Sequence, residues 1–285
     1  MMRSPTGSTR VAGVAGAPIA HSLSPTLHNA WIAAAGIDAV YVAFAPPVTG
    51  FAVFVEGMRG GAVRGINVTA PFKETALAAA DRASARARSA GAANLLLFER
   101  DGEIVADNTD GEGLLAAFAQ QAPAFDVASG PIVILGAGGA ARGAATALLA
   151  AGAACVRIVN RSRPRGEALV ELLGENSAYF PQGEAAAALS GAVALINATP
   201  VGVADAGIRD LSLEVAPARL VVMDMVYKPL RTGLLCKAQD AGLTTVDGLA
   251  MLIGQAAPSF TQLFGVAPPA LDVRAVALAA LKERR

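Results

Sequence analysis

Cysteine is nearly absent from this chain. Its two copies, Cys155 and Cys236, lie far apart and show no metal-ligand spacing. That excludes a disulfide scaffold and a cysteine-based zinc site, and predicts two buried thiols in a reducing compartment. Histidine is as scarce, with only His21 and His28. His21 stands beside a serine loop and His28 falls about one turn into the first helix; both are read as structural. Aromatic residues make up only 5% against 54% hydrophobic, so the apolar mass is mostly Ala, Val and Leu. Such a composition suits helices packed on a parallel sheet. Excess charge is missing too, because 23 Lys and Arg balance 23 Asp and Glu. Neither nucleic acid nor an anionic membrane is therefore expected as a partner. No uninterrupted apolar run approaches the ~20 residues of a membrane span. The first ten residues, MMRSPTGSTR, are polar and lack the apolar stretch of a secretory signal. A cytoplasmic protein is expected.

The length of 285 residues suffices for two domains, each with its own core. Strand-like segments stand at Val11–Gly16, Tyr41–Pro46 and Val63–Pro71, with helices expected at about Pro25–Ala35 and Gly50–Met58. Strands alternating with helices predict a parallel, twisted α/β sheet. A fresh unit starts near Asp110 with a helix at about Gly111–Gln120. Pro131–Ser162 then reads strand, glycine turn, helix, strand, the length of one βαβ unit. ALINATP (Ala194–Pro200), LVVMDMVY (Leu220–Tyr227) and TTVDG (Thr244–Gly248) are further strands, and helices from about Leu249 and Asp272 close the chain. The second domain reads as a Rossmann sheet, with the closing helices free to pack on either domain.

The glycine turn, GAGGAA (Gly136–Ala141), sits where a dinucleotide site needs it, after VIL and before an Ala-rich helix. Gly136 permits the tight turn, Gly138 lets the backbone approach a pyrophosphate, and Ala141 is small enough for helix–strand packing. The helix N-terminus then offers free N–H groups and partial positive charge to phosphates. A glycine pattern alone is weak, since any tight βα turn resembles it; the strand–helix–strand context carries the assignment. About 20 residues on, where NAD enzymes place Asp or Glu, the chain has Asn160-Arg161-Ser162-Arg163-Pro164-Arg165. Guanidinium groups fit a 2′-phosphate, so the cluster points to NADP. An arginine-rich solvated loop is the plain alternative.

Three earlier segments carry chemistry. HSLSP (His21–Pro25) places two serines one residue apart, able to offer both hydroxyls to one ligand; an N-capping Ser24 would explain only one of them. NVTAPFKE (Asn67–Glu74) ends a strand in polar residues and follows it with Lys73, at the edge where α/β proteins bind ligands. A lone lysine there is usually a solvated surface group. ADNTDGEG (Ala106–Gly113) crowds Asp107, Asn108 and Asp110 into a turn at a domain boundary, which is either a plain acidic turn or part of a site.

GAPIAHSLSP, GINVTAPFK, GAANLL, DNTDGEG, GAGGAARG, NRS, NATPVG, DMVYKP and DGLAMLIGQA follow one another in this order between about Val11 and Ala257. In this the chain resembles the shikimate dehydrogenases. The serine pair, NVTxPFK and NTDG are the specific parts. The resemblance implies a substrate-binding catalytic domain of residues 1–109 completed by 248–285, with a Rossmann NADP-binding domain of 110–247 between. It implies reversible NADPH-dependent reduction of 3-dehydroshikimate in the shikimate pathway of aromatic amino-acid biosynthesis. It makes Lys73 and Asp110 the catalytic pair, and Ser22, Ser24, Thr69, Asn94, Tyr227 and Gln255 the substrate contacts. It assigns cofactor contacts to Gly136, Ala137, Gly138, Gly139, Ala140, Asn160, Arg161, Ser162, Arg165, Thr199, Met225 and Gly248. No metal is implied, the partner is a small molecule, and a homodimer is left open. The chain departs from the family at Ala93 and Leu95, where Val and Thr are usual, at Asp107, where Gly is commoner, and at Gly254, where a bulkier residue is usual.

Competing readings are a sister dehydrogenase for quinate or aminoshikimate, a folate-linked dehydrogenase of similar architecture, and a non-catalytic ligand sensor. The arginines oppose a strictly NAD-dependent sister. The serine pair opposes the folate enzyme. Intact Lys73 and Asp110 oppose the sensor.

Overall fold

The structure, a computed structural model, describes residues 4–199, 211, 213 and 216–283. It divides into two compact units: residues up to Thr109 with those from Ile253 onward, and Asp110–Leu252.

In the first unit the order is β1 (Arg10–Ala15), α1 (Ser24–Ala35), β2 (Ala39–Phe44), α2 (Phe51–Glu56), β3 (Val63–Val68), α3 (Lys73–Ala78), β4 (Arg82–Ala83), α4 (Ala85–Ala90), β5 (Leu95–Phe98) and β6 (Ile104–Asp107). Pro25 pre-sets φ in the first turn of α1. The helix buries Leu27, His28, Trp31 and Ile32, three and four residues apart on one face. It stops at Gly36, whose φ of 66° is a left-handed cap that favours glycine.

The sheet runs β2-β1-β3-β5-β6-β4. β1 pairs parallel with β2 and β3, but β3–β5 and β5–β6 are antiparallel. The expected parallel sheet is therefore corrected to a mixed one. Residues 99–103, with Gly102 at φ 90°, join β5 to β6, and so short a link permits only a hairpin. Pro46 and Pro71 fall outside β2 and β3 because proline cannot donate to the ladder. Under this sheet Phe51 stacks on Phe72 at 4.3 Å amid Ile66, Val68, Leu96 and Ile104. Each such large apolar side chain, fully buried, stabilises the fold by roughly 1.5–3 kcal/mol.

The second unit continues with α5 (Asp110–Gln121), β7 (Ile132–Leu135), α6 (Gly139–Ala150), β8 (Val156–Asn160), α7 (Arg163–Leu173), β9 (Ser177–Pro181), α8 (Ala185–Ala188), β10 (Ala194–Asn197), β11 (Val221–Asp224), α9 (Gly233–Asp240) and β12 (Thr244–Asp247). Among the described residues its six strands are all parallel, in the order β12-β11-β10-β7-β8-β9. Counted from β7, this is the 3-2-1-4-5-6 order of a Rossmann sheet. Alternate residues feed opposite faces: Ile132 and Ile134 join one buried cluster, Val133 and Leu135 another. α5 packs tightly on α6, since a Cβ on Gly111 would lie 2.4 Å from that of Ala147. The chain ends with α10 (Gly248–Phe264) and α11 (Val273–Glu283). The division between units falls within α10, and α11 packs on α1.

Two further expectations change. Arg163 and Arg165 are not on a loop but in the first turn of α7, started by Pro164. Cys155 and Cys236 are free thiols but only half-buried. Cys155 lies in the turn before β8, and Cys236 on α9 beside buried Leu235. Pro200, Val201 and Gly202 of NATPVG lie outside the described residues.

Candidate functional site

In the first unit a chain of buried polar groups joins segments far apart in sequence. Tyr41 Oη donates to Asn67 Oδ1 at 2.8 Å, and Asn67 Nδ2 donates to Ser259 Oγ at 3.0 Å and to the Asn94 carbonyl at 3.1 Å. Asn94 Nδ2 donates to Thr109 Oγ1 at 2.9 Å and to Gln255 Oε1 at 3.3 Å, while its Oδ1 accepts the Thr109 N–H at 2.8 Å. Thr109 and Ser259 hydroxyls meet at 3.1 Å. All of these residues except Tyr41, itself in the core, are counted among the buried polar groups of the molecule. Paired in this way they avoid the cost of burying bare polar atoms, and they fix one another's orientation. Two of the expected substrate contacts, Asn94 and Gln255, are thereby brought into direct contact.

Lys73 opens α3, and its carbonyl accepts the N–H of Ala93, next to Asn94, at 2.8 Å. Thr69 is fixed at the end of β3 by its N–H to the Ala15 carbonyl at 2.9 Å. The serine pair is almost fully buried. The N–H of Ser24 donates to Ser22 Oγ at 3.2 Å. Leu23 occupies the cap of α1, so a capping role for Ser24 is not observed.

Asp107 belongs to the scaffold behind Asn94. It accepts from Ser84 Oγ at 2.5 Å, Arg86 Nε at 2.6 Å, Gln262 Nε2 at 2.7 Å and the Asn108 N–H at 2.8 Å. Burial raises its pKa, but these donors outweigh burial and hold the carboxyl at about 2. Its carbonyl accepts the Asn94 N–H at 3.0 Å. His28 lies in an aromatic box of Trp31, Tyr41 and Phe260 and is fully buried, whereas His21 is exposed.

The second unit holds Asp110, buried at the start of α5, and Tyr227, half-buried after β11. Its glycine turn has the features a pyrophosphate needs. Gly136 has φ 108°, a conformation that favours glycine, and Gly138 caps α6 with extended backbone and no side chain. A Cβ on Gly136 would lie 3.2 Å from Thr199 Cγ2, which brings two expected cofactor contacts together. Met225 and Gly248 also meet: a Cβ on Gly248 would lie 2.4 Å from the Met225 carbonyl oxygen. Beyond β8, Asn160 Nδ2 donates to the Ser162 carbonyl at 2.8 Å, and Tyr179 Oη to the Asn160 carbonyl at 3.1 Å. Arg161, on this braced turn, and Arg165, in the first turn of α7, are exposed, and α7 has no acid in its first turn. Cations at a helix N-terminus oppose the helix dipole, a cost that a bound phosphate would offset. The glycine turn and the arginines thus fit NADP.

Sequence reasoning missed Tyr41, Thr109, Ser259, Asn197 and Asp224, and treated Asn67 only as the polar end of a strand. Asn67, Thr109, Asn197 and Asp224 lie inside the motifs NVTAPFK, DNTDGEG, NATPVG and DMVYKP; Ser259 and Tyr41 carry no local signal. Among the described residues no group of three or more His, Cys, Asp or Glu could hold a metal. Among them, too, no helix is long and apolar enough to cross a membrane.

Comparison with known proteins agrees with this geometry. Residues 14–96 match the shikimate dehydrogenase substrate binding domain, and residues 118–204 match the shikimate / quinate 5-dehydrogenase family. The NADP(+) shikimate dehydrogenase of Caulobacter vibrioides is 56% identical over 98% of both chains. That of Rhodospirillum rubrum is 43% identical over 94% of this chain and 96% of its own. Among solved structures, shikimate 5-dehydrogenase from Thermus thermophilus in complex with NADP(H) and shikimate superposes with a TM-score of 0.81 at 34% identity, covering 97% of this chain and all of that one. With matches of this extent, together with the Rossmann sheet and the Asn94–Gln255 network, the chain belongs to the shikimate dehydrogenase family.

Proposed function

We propose that this chain is an NADP-dependent shikimate dehydrogenase of the cytoplasm, reducing 3-dehydroshikimate reversibly. The observation that carries the proposal is the 56% identity to an NADP(+) shikimate dehydrogenase across nearly the whole chain. The first unit takes the role of substrate domain and the second that of NADP domain. Ser22, Ser24, Thr69, Asn94, Gln255 and Tyr227 bind the substrate's carboxylate and hydroxyls. In the second, residues 136–140 hold the pyrophosphate, and Arg161 and Arg165 hold the 2′-phosphate. Asn160, Ser162, Thr199, Met225 and Gly248 complete the cofactor contacts.

NADPH, when bound, supplies the hydride. The ammonium of Lys73 stabilises negative charge growing on the substrate oxygen and delivers a proton to it. A carboxylate such as Asp110 favours the charged lysine and aligns it. The buried network around Asn94 and Gln255 holds its amides in one orientation before substrate arrives, so little reorganisation accompanies binding.

Steady-state assays with shikimate and quinate, each against NADP and NAD, test the proposal. Shikimate with NADP should be the best pair by kcat/KM; a higher value with quinate or with NAD overturns it. Lys73→Ala should lose roughly 10²–10⁴ in turnover while shikimate binding persists. Near-normal turnover in that variant removes Lys73 from the mechanism.

A further inference from the structure

The carboxyl ends of β10 and β11 carry a run of hydrogen bonds, rooted in one buried pair, that the mechanism above does not use. Asn197 and Asp224 are direct partners across these strands, and both are fully buried. Asn197 Nδ2 donates to Asp224 Oδ1 at 2.9 Å. Asn197 Oδ1 accepts the Thr199 hydroxyl at 2.7 Å and the Thr199 N–H at 3.1 Å. Asp224 Oδ1 also accepts the Val226 N–H at 3.0 Å. One carboxylate oxygen therefore governs two arms. One arm ends at Thr199, whose methyl faces Gly136; the other is the turn carrying Met225, whose carbonyl faces Gly248.

The carboxylate decides which way the Asn197 amide points. With Asp224 as acceptor, Nδ2 must face it, so Oδ1 turns to Thr199 and takes its proton. Without that acceptor the amide is free to flip, setting two donors, Nδ2 and the Thr199 N–H, against each other. The strand neighbours Ile196 and Met223 are apolar and belong to the buried core, so the Asn197–Asp224 pair is a polar contact set beside apolar packing. Burial raises the Asp224 pKa, while hydrogen bonds from the Thr232 side chain, the Val226 N–H and the Asn197 amide oppose the rise.

We infer that Asp224 is a positioning residue for the cofactor, fixing the Thr199 hydroxyl through Asn197 and the Met225 turn through Val226. The inference rests on the NADP-dehydrogenase reading above. NADP affinity, measured by titration without shikimate, is the readout for Thr199→Val, Asp224→Ala, Asp224→Asn and the double variant Thr199→Val with Asp224→Ala. Asp224→Ala should weaken NADP about tenfold, and Thr199→Val roughly three- to tenfold. Asp224→Asn keeps an acceptor oxygen and should bind NADP within about threefold of the parent. In the double variant the second change should add little, because both sit on one chain of bonds. The KM for shikimate should stay within about twofold in Thr199→Val, which a general loss of structure would not permit. Unchanged affinity in Thr199→Val overturns the inference even if Asp224→Ala does not fold, and so does full additivity in the double variant. A parent that binds no NADP sinks the functional proposal instead, which separates the two failures.

Discussion

His28 lies flat on Tyr41, with ring centroids 4.1 Å apart and planes 7° from parallel, and neither imidazole nitrogen has a hydrogen-bond partner among the described residues. Desolvation lowers the His28 pKa to about 3. In the unfolded chain a histidine titrates near about 6.5. Between these values the unfolded chain binds a proton that the folded chain refuses. Stability is therefore complete above about pH 6.5 and falls as pH drops toward 3, by up to about 1.4 kcal/mol per unit. His28→Phe keeps an aromatic ring in the box and removes the titration. Between pH 7 and pH 5 the parent should lose about 2 kcal/mol more than the variant in urea unfolding of the first unit. Equal losses would mean that His28 is protonated in the folded protein.

Legibility in the sequence follows the range of the interactions. The run β7–α6–β8 is readable because its signals are local: an apolar strand, a glycine forced to φ 108°, a small-residue helix and a second strand. The β5–β6 hairpin is not, because Leu95–Phe98 is a short apolar run whose partner direction is set by the turn after it. Ser259 is invisible because its meaning comes from Asn67, 192 residues away, and Thr109, 150 residues away. Asp107 reads in sequence as part of an acidic turn. Its place at the end of β6, with Arg86, Ser84 and Gln262 around it, makes it scaffold.

That scaffold gives a second prediction. Arg86→Ala leaves the buried Asp107 carboxylate without its cation. Because the Arg86 side chain is 40% exposed, solvent screens the pair, and the cost should be about 1–3 kcal/mol rather than that of a fully buried pair. The Asp107 pKa is depressed on folding, so its stabilisation is present above about pH 4 and lost as pH falls toward 2. Removing Asp107 as well, in Arg86→Ala with Asp107→Ala, should recover part of the loss. Urea midpoints of the two single variants and the double variant decide this; strict additivity would show that the ion pair does no coupling.

Cofactor choice should rest on Arg161 and Arg165. Arg161 is exposed on a turn held by Asn160 and Tyr179, and Arg165 is exposed in the first turn of α7, so truncation should leave the fold intact. Replacing both with Ala should weaken NADP by roughly 1.5–3 kcal/mol per lost charged hydrogen bond and barely affect NAD. Titration of parent and variant with each cofactor measures the difference. Equal losses for NADP and NAD would show that neither arginine reads the 2′-phosphate.

The serine pair makes the most direct claim on the substrate. Ser24 is the first residue of α1 but does not cap it, and its N–H is already given to Ser22 Oγ. Ser22→Ala therefore also removes a turn bond and should cost about 0.5–1.5 kcal/mol of stability. Ser24→Ala leaves that bond in place, because Ser24 makes it with its backbone, and is the cleaner probe. If both hydroxyls hold the shikimate carboxylate, each loss should cost roughly 0.5–3 kcal/mol of binding, toward the upper end because the partner is charged. The loss should appear in KM with kcat nearly unchanged, since the carboxylate is remote from the reacting carbon and is held alike in ground and transition states. NADP binding should not move. Kinetics with shikimate and with its methyl ester provide the test. The parent should discriminate strongly against the ester and Ser24→Ala should discriminate less. If Ser24→Ala rejects the ester as strongly as the parent does, its hydroxyl does not read the carboxylate, and the pair serves only to shape the turn into α1.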